Sequence, residues 1–164
     1  MLKPDLRAGL LPLPAYDCTL AELAFFRPSE EVIGHDVEKL AQDIQRRGCW
    51  TTPIPVERTS GIIMDGNHRW HAARLLQLTQ LPCVALDYDD PRVRVVRWED
   101  GGRFSLDHLR ETLARGAVLP YKTTRHIFAP ALPELLFDLA ALRVAPAAAA
   151  GAARRHSLDK AVDA

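Results

Sequence analysis

The sequence predicts an α+β domain in which helices pack on a small mixed sheet. Three observations carry this. Residues 62–64 (Ile-Ile-Met) are an apolar run that stops at Asp65-Gly66 and gives way to helical spacing, the pattern of a buried strand, a tight turn and a helix. Residues 35–48 place Val37, Leu40, Ala41 and Ile44 at i, i+3, i+4 and i+7, the stripe of an amphipathic helix. Short apolar runs at 20–26, 53–56, 81–86 and 93–98 have the length and bounding residues of strands.

Taken in order, residues 1–19 are expected to form an extended lead-in, because Pro4, Pro12 and Pro14 interrupt any regular element. The domain proper is expected over 20–143. Residues 20–26 lead in as a strand, and 27–31 form a loop because Pro28 donates no ladder bond. The helix at 35–48 carries Asp36 and Glu38 in its first turn and Arg46-Arg47 in its last, matching the helix dipole, with Gly48 as its stop. The arginine pair reads as a solvated helix end. Strands at 53–56 and 61–64 flank the turn at 58–61. Asn67 is a candidate cap for the central helix, whose buried stripe is expected to hold Trp70, Ala72, Ala73, Leu75 and Leu76. Strands at 81–86 and 93–98 follow. A helix at 105–115 has Ser105 as N-cap, Leu106, Leu109 and Leu113 as its stripe and Gly116 as its stop. A short apolar helix is expected at 132–142. Residues 144–164, rich in Ala and broken by Pro146 and Gly151, are expected to be a disordered tail.

The bulk numbers narrow the function. The chain has 164 residues, 48% hydrophobic, with 21 Lys+Arg against 21 Asp+Glu. That is enough for one core, and the balanced charge speaks against a protein that coats nucleic acid. Cys18, Cys49 and Cys83 show no metal or redox spacing, as in a reducing compartment. No apolar run is long enough for a membrane span and no signal-peptide core is seen, so the expected location is the cytoplasm.

Polar residues gather in three places: Ser29-Glu30-Glu31, residues 65–69, and Lys122-Thr123-Thr124-Arg125-His126. Carboxylates, cations and the free amides of a helix start are what phosphoryl transfer needs: positioning, charge neutralisation and a base for the attacking hydroxyl. Neither G-x-x-x-x-G-K-[ST] nor G-x-G-x-x-G occurs, which excludes the P-loop and protein-kinase nucleotide sites. His68 and His71 have no H-E-x-x-H context or evident third ligand for a metal. Trp98 has two readings, core packing or substrate contact.

Residues 27–88 resemble the ParB/sulfiredoxin superfamily: a Pro-x-Glu loop, a helix, two strands and a G-x-x-R turn into a helix. Sulfiredoxins carry a catalytic Cys where Asn67 stands, so their chemistry is not implied. Within the superfamily the chain is most similar to the free L-serine kinases, ADP-dependent or ATP-dependent. The motifs, over residues 20–128, are Arg27-Pro28-Ser29-Glu30, Asp65-Gly66-Asn67-His68-Arg69-Trp70, Asp87-Tyr88, Trp98 and Lys122-Thr123-Thr124-Arg125-His126. The resemblance implies Glu30 as base on the serine hydroxyl and Asp65 assisting Mg2+ or that hydroxyl. It implies Gly66, Asn67, His68 and Arg69 on the nucleotide phosphates. Trp98, Lys122, Thr123, Thr124, Arg125 and His126 would hold the amino acid and the transferred phosphate. The implied reaction gives O-phospho-L-serine from ATP or ADP. Asn67 stands where those kinases have a His, and the stretch from Trp98 to Lys122 is shorter than in the archaeal enzyme. The alternative is a ParB-like nucleotide-binding or DNA-associated regulator, although no recognition helix follows Trp98. A domain that only binds other proteins is a third possibility.

Overall fold

A computed structural model describes residues 15–144; the expected tail beyond 144 and the lead-in up to residue 14 lie outside the described residues. The elements, in chain order, are β1 (Thr19–Glu22), a 3-10 turn (Leu23–Phe25), α1 (Gly34–Arg47), β2 (Cys49–Trp50), β3 (Ile54–Glu57), α2 (Asn67–Leu75), β4 (Gln80–Leu86), β5 (Val93–Arg97), α3 (Leu106–Ala114), β6 (Thr124–Phe128), β7 (Phe137–Asp138) and α4 (Leu139–Leu142). The predicted α+β class with small sheets is what forms. The main sheet has the order β1-β4-β3. It is mixed: β1 runs antiparallel to β4 with Thr19 opposite Cys83, and β3 runs parallel with Ile54 opposite Cys83. Two small antiparallel pairs, β5–β6 and β2–β7, stand beside it.

β4 is the hub because both its faces are buried. Side chains alternate along a strand, so Leu81 and Cys83 enter one core with Val37, Ala41 and Ile44 of α1 and Ala72 and Ala73 of α2. Val84 and Leu86 enter a second, with Tyr16, Met64 and the half-buried Tyr88, Val93 and Phe128. A third cluster joins Ile62 to Leu109, Leu113 and Leu119. α1 closes on Gly48, whose φ of 75° is the left-handed cap geometry and whose N–H reaches the Ile44 carbonyl. In α3 the Ser105 hydroxyl accepts from the His108 N–H, as a cap should.

The structure departs from the sequence expectations in several places. Residues 62–63 make two single bridges, Ile62 to Arg27 and Ile63 to Val56, rather than a strand ladder. The chain turns back there at Gly61, where a Cβ would lie 2.0 Å from the Phe25 carbonyl oxygen. The helix expected at 132–142 is a four-residue turn, α4, preceded by β7. Its apolar residues are spent on separate contacts: Leu132 packs in the second core, while Phe137, Leu139 and Leu142 pack in the first. Leu75 is 57% exposed and so lies off the α2 stripe. Trp98 is 47% exposed, which removes the core-packing reading. The Asn67 cap is replaced by Gly66 at φ 102° with no side-chain cap bond. Among the described residues no helix is long and apolar enough to cross a membrane.

Candidate active site

Residues from all three polar clusters meet around a cleft of about 270 Å³. The first wall is the loop 28–31. It is held by paired backbone bonds, Leu119 N–H to the Ser29 carbonyl at 2.9 Å and Glu31 N–H to the Leu119 carbonyl at 2.8 Å. Glu30 is half-buried and points across the cleft. Its Oε1 accepts the Thr124 N–H at 2.7 Å and the Thr124 hydroxyl at 2.6 Å. Burial raises the Glu30 carboxyl above its ordinary range and the neighbouring charge of Asp65 adds to this, while the Thr124 bonds act against both.

The second wall is the turn into α2. Positive φ at Gly66 suits a residue without Cβ, and a Cβ there would sit 2.8 Å from a terminal nitrogen of Arg69. With no side chain capping it, α2 presents its first amides to the cleft, where they and the helix dipole favour an anion. Asn67 Oδ1 accepts from the Ser29 N–H at 2.8 Å and the Glu30 N–H at 3.4 Å. Arg69 donates to the Thr52 and Pro53 carbonyls at 3.1 and 3.2 Å and lies 3.7 Å from Asp65. Its burial lowers the guanidinium value, yet an arginine remains charged there. His68 Nε2 accepts the Ile33 N–H at 3.2 Å and its ring meets Tyr121 edge-on at 5.6 Å.

The third wall is aromatic and cationic. The Lys122 ammonium lies over the rings of Trp98 and Tyr121 at 5.1 and 5.3 Å, a cation–π arrangement. Lys122 has a φ of 55°, a left-handed conformation uncommon for a side-chain residue and concentrated at functional turns. Glu30, Glu31, Asp65, Arg69 and Lys122 thus line one cleft. Among the described residues no three His, Cys, Asp or Glu side chains are grouped to hold a metal by themselves. Mg2+ usually needs only one or two carboxylates beside substrate phosphates, a demand that the exposed Asp65 and Glu31 fit.

Comparison with known proteins identifies the family and the fold. Residues 17–99 match the family model for the ParB N-terminal domain. The chain belongs to that family. Curated relatives named as L-serine kinases include two that match over about two thirds of this chain. One is the ATP-dependent L-serine kinase of Staphylothermus marinus, 26% identical over 113 residues, 66% of this chain and 45% of that protein. The other is the ADP-dependent L-serine kinase of Thermococcus kodakarensis, 26% identical over 109 residues, 64% of this chain and 45% of that protein. The chain therefore spans less than half the length of these relatives. A free serine kinase in complex with AMP has the same fold, with a TM-score of 0.68 and 17% identity over 77% of this chain and 94% of that one.

The ParB N-terminal domain carries the first two walls and Trp98, whereas Tyr121, Lys122 and Thr124 come from beyond the matched stretch. Of the residues expected in a site, Glu30, Asp65, Gly66, Asn67, His68, Arg69, Trp98, Lys122 and Thr124 line the cleft. Thr123, Arg125 and His126 do not. The Thr123 hydroxyl donates to the Pro120 carbonyl at 2.6 Å and closes its own turn. Arg125 leaves β6 on the face opposite Thr124 and lies 5.8 Å from the Trp98 ring. His126 points inward between Tyr88 and Phe128 at 5.9 and 6.5 Å. Both its nitrogens are buried without a partner, and burial pulls its value down to about 3. Tyr121 is the cleft residue that motif reading passed over; the sign of it was an aromatic set between Pro120 and Lys122 in an otherwise polar stretch.

Proposed function

We propose that the protein is a small-molecule kinase that transfers a phosphoryl group from ATP or ADP to the hydroxyl of free L-serine, giving O-phospho-L-serine. The observation that carries the reading is Glu30: its carboxylate is held in the cleft by Thr124, with the Lys122 backbone N–H also close enough to lower its value, opposite the uncapped start of α2. The kinase names of the two curated relatives support it. Glu30 takes the proton of the serine hydroxyl as that oxygen attacks the terminal phosphorus. The bond to the bridging oxygen breaks, and the shortened nucleotide leaves with the electron pair. Lys122, Arg69 and the first amides of α2 offset the charge on the transferring group. Mg2+, when bound, would be held by Asp65 or Glu31 with the nucleotide phosphates and would supply further charge neutralisation.

The test is a reaction of the purified protein with Mg2+, L-serine and either ATP or ADP, read by phosphorus NMR. Phosphoserine is expected with one of the two nucleotides. Glu30→Gln keeps an acceptor for Thr124 and removes the base, so turnover should fall by about 10²- to 10⁴-fold with nucleotide affinity retained. Absence of product from the wild-type protein with either donor would overturn the reading. A nucleotide-induced rise in melting temperature without product would instead favour a ParB-like nucleotide-binding regulator.

A further inference from the structure

We infer that Asn67 is a positioning residue, whose side-chain amide brackets the loop carrying Glu30 and so sets where the base meets the reacting hydroxyl. The inference rests on the kinase reading above. An Asn at a helix start ordinarily turns its oxygen back onto the amides of its own first turn. Here the side chain reaches away from α2 to a loop 38 residues earlier in the chain. Oδ1 accepts the Ser29 and Glu30 N–H groups at 2.8 and 3.4 Å, and Nδ2 donates to the Ser29 hydroxyl at 3.2 Å. That hydroxyl in turn donates to the Ile63 carbonyl at 2.7 Å. Ser29 is 3% exposed, so water does not readily replace a bond lost there.

The chemistry of position 67 is narrow. It must accept from two adjacent N–H groups and donate to a hydroxyl. Asn does both from two atoms that lie side by side, a carboxylate only accepts, and the acceptor and donor nitrogens of a neutral imidazole point away from each other. Glu30 is thereby fixed at two points, its backbone N–H on Asn67 and its Oε1 on Thr124. Because the Asn67 side chain is engaged with the loop, the α2 amides stay free for phosphate. Loss of the bracket should therefore appear in kcat and leave nucleotide binding in place.

The experiment uses Asn67→Ala and Asn67→Asp in the full chain, with two readouts. The first is hydrogen exchange at the Ser29 and Glu30 amides, which needs no activity. Asn67→Ala should speed exchange at both amides at least about tenfold relative to wild type, while Asn67→Asp, still an acceptor, keeps their protection. The second is steady-state kinetics. Displacing a catalytic group by about 1 Å lowers rates by about 100-fold, so kcat for Asn67→Ala should drop by that order with nucleotide KM within about threefold. In Asn67→Asp the added charge beside Glu30 should move the acid limb of kcat to higher pH. Unchanged exchange in Asn67→Ala overturns the inference, as does a raised nucleotide KM at constant kcat, which would put the amide on the phosphate. If Asn67→Ala does not fold, an unshifted acid limb or lost amide protection in Asn67→Asp overturns it alone. A wild-type protein without turnover would instead overturn the kinase reading, and the exchange data would still decide the bracket.

Discussion

Replacing His126 by Phe separates a core histidine from a substrate ligand. In the fold both imidazole nitrogens are buried and unpartnered, and burial holds the ring neutral down to about 3 against an ordinary 6.5. Below about 6.5 the unfolded chain takes up a proton that the folded chain refuses, so the unfolded state binds more protons and stability falls with pH. The loss begins near 6.5 and continues until about 3. Between pH 7 and pH 5 this single group removes about 2 kcal/mol of folding stability. Urea unfolding of wild type and His126→Phe at those two pH values gives the number directly. The variant retains rings for Tyr88 and Phe128 to pack on and should lose about 2 kcal/mol less than wild type on acidification. It should turn over at close to the wild-type rate. Equal acid sensitivity in the two proteins would refute the reasoning. So would an inactive but equally stable variant, which would restore the imidazole to the substrate.

Gly66→Ala should lower stability by about 1–3 kcal/mol in urea unfolding, since a side-chain residue is strained at that φ, and should weaken nucleotide binding in calorimetry because the new Cβ presses on Arg69. Thr124→Val removes the hydroxyl bond that lowers the Glu30 value and keeps the backbone one. The Glu30 carboxyl then rises further, and since the base must be ionised, the acid limb of the kcat profile should move to higher pH. An unmoved limb would mean that Glu30 does not govern it.

Some of this molecule can be read from its residues alone. The stripe of Val37, Ala41 and Ile44 with Gly48 behind it fixed α1, and Ser105 and Gly116 fixed the limits of α3, because these signals are local. The errors arose where a distant partner decided. Asn67 has a perfect local reason to cap α2, yet Ser29 offers it two part-buried bonds from a distant loop. The leucines from 132 to 142 suggested a helix, but Leu132 packs in the second core, Leu139 and Leu142 pack in the first, and Leu136 stays exposed. Motif reading assembled most of the cleft because loops at the ends of regular elements were marked by polar residues. It could not tell Thr124 from Thr123, or see that His126 faces inward, since that depends on which side of β6 meets Glu30. Tyr121 lies in the turn before β6, and its one sign was an aromatic ring set in a polar stretch.

The bonds between Glu30 and Thr124 also make a latch. They join residues 94 apart in sequence, and they tie the wall formed by the β5–β6 pair to the one carried by loop 28–31. A carboxylate is a much stronger acceptor than a protonated carboxyl. With Glu30 as the base, the proton it gains during transfer slackens that joint, and losing the proton to solvent tightens it again. The protonation state of Glu30 therefore sets how firmly these two walls are joined.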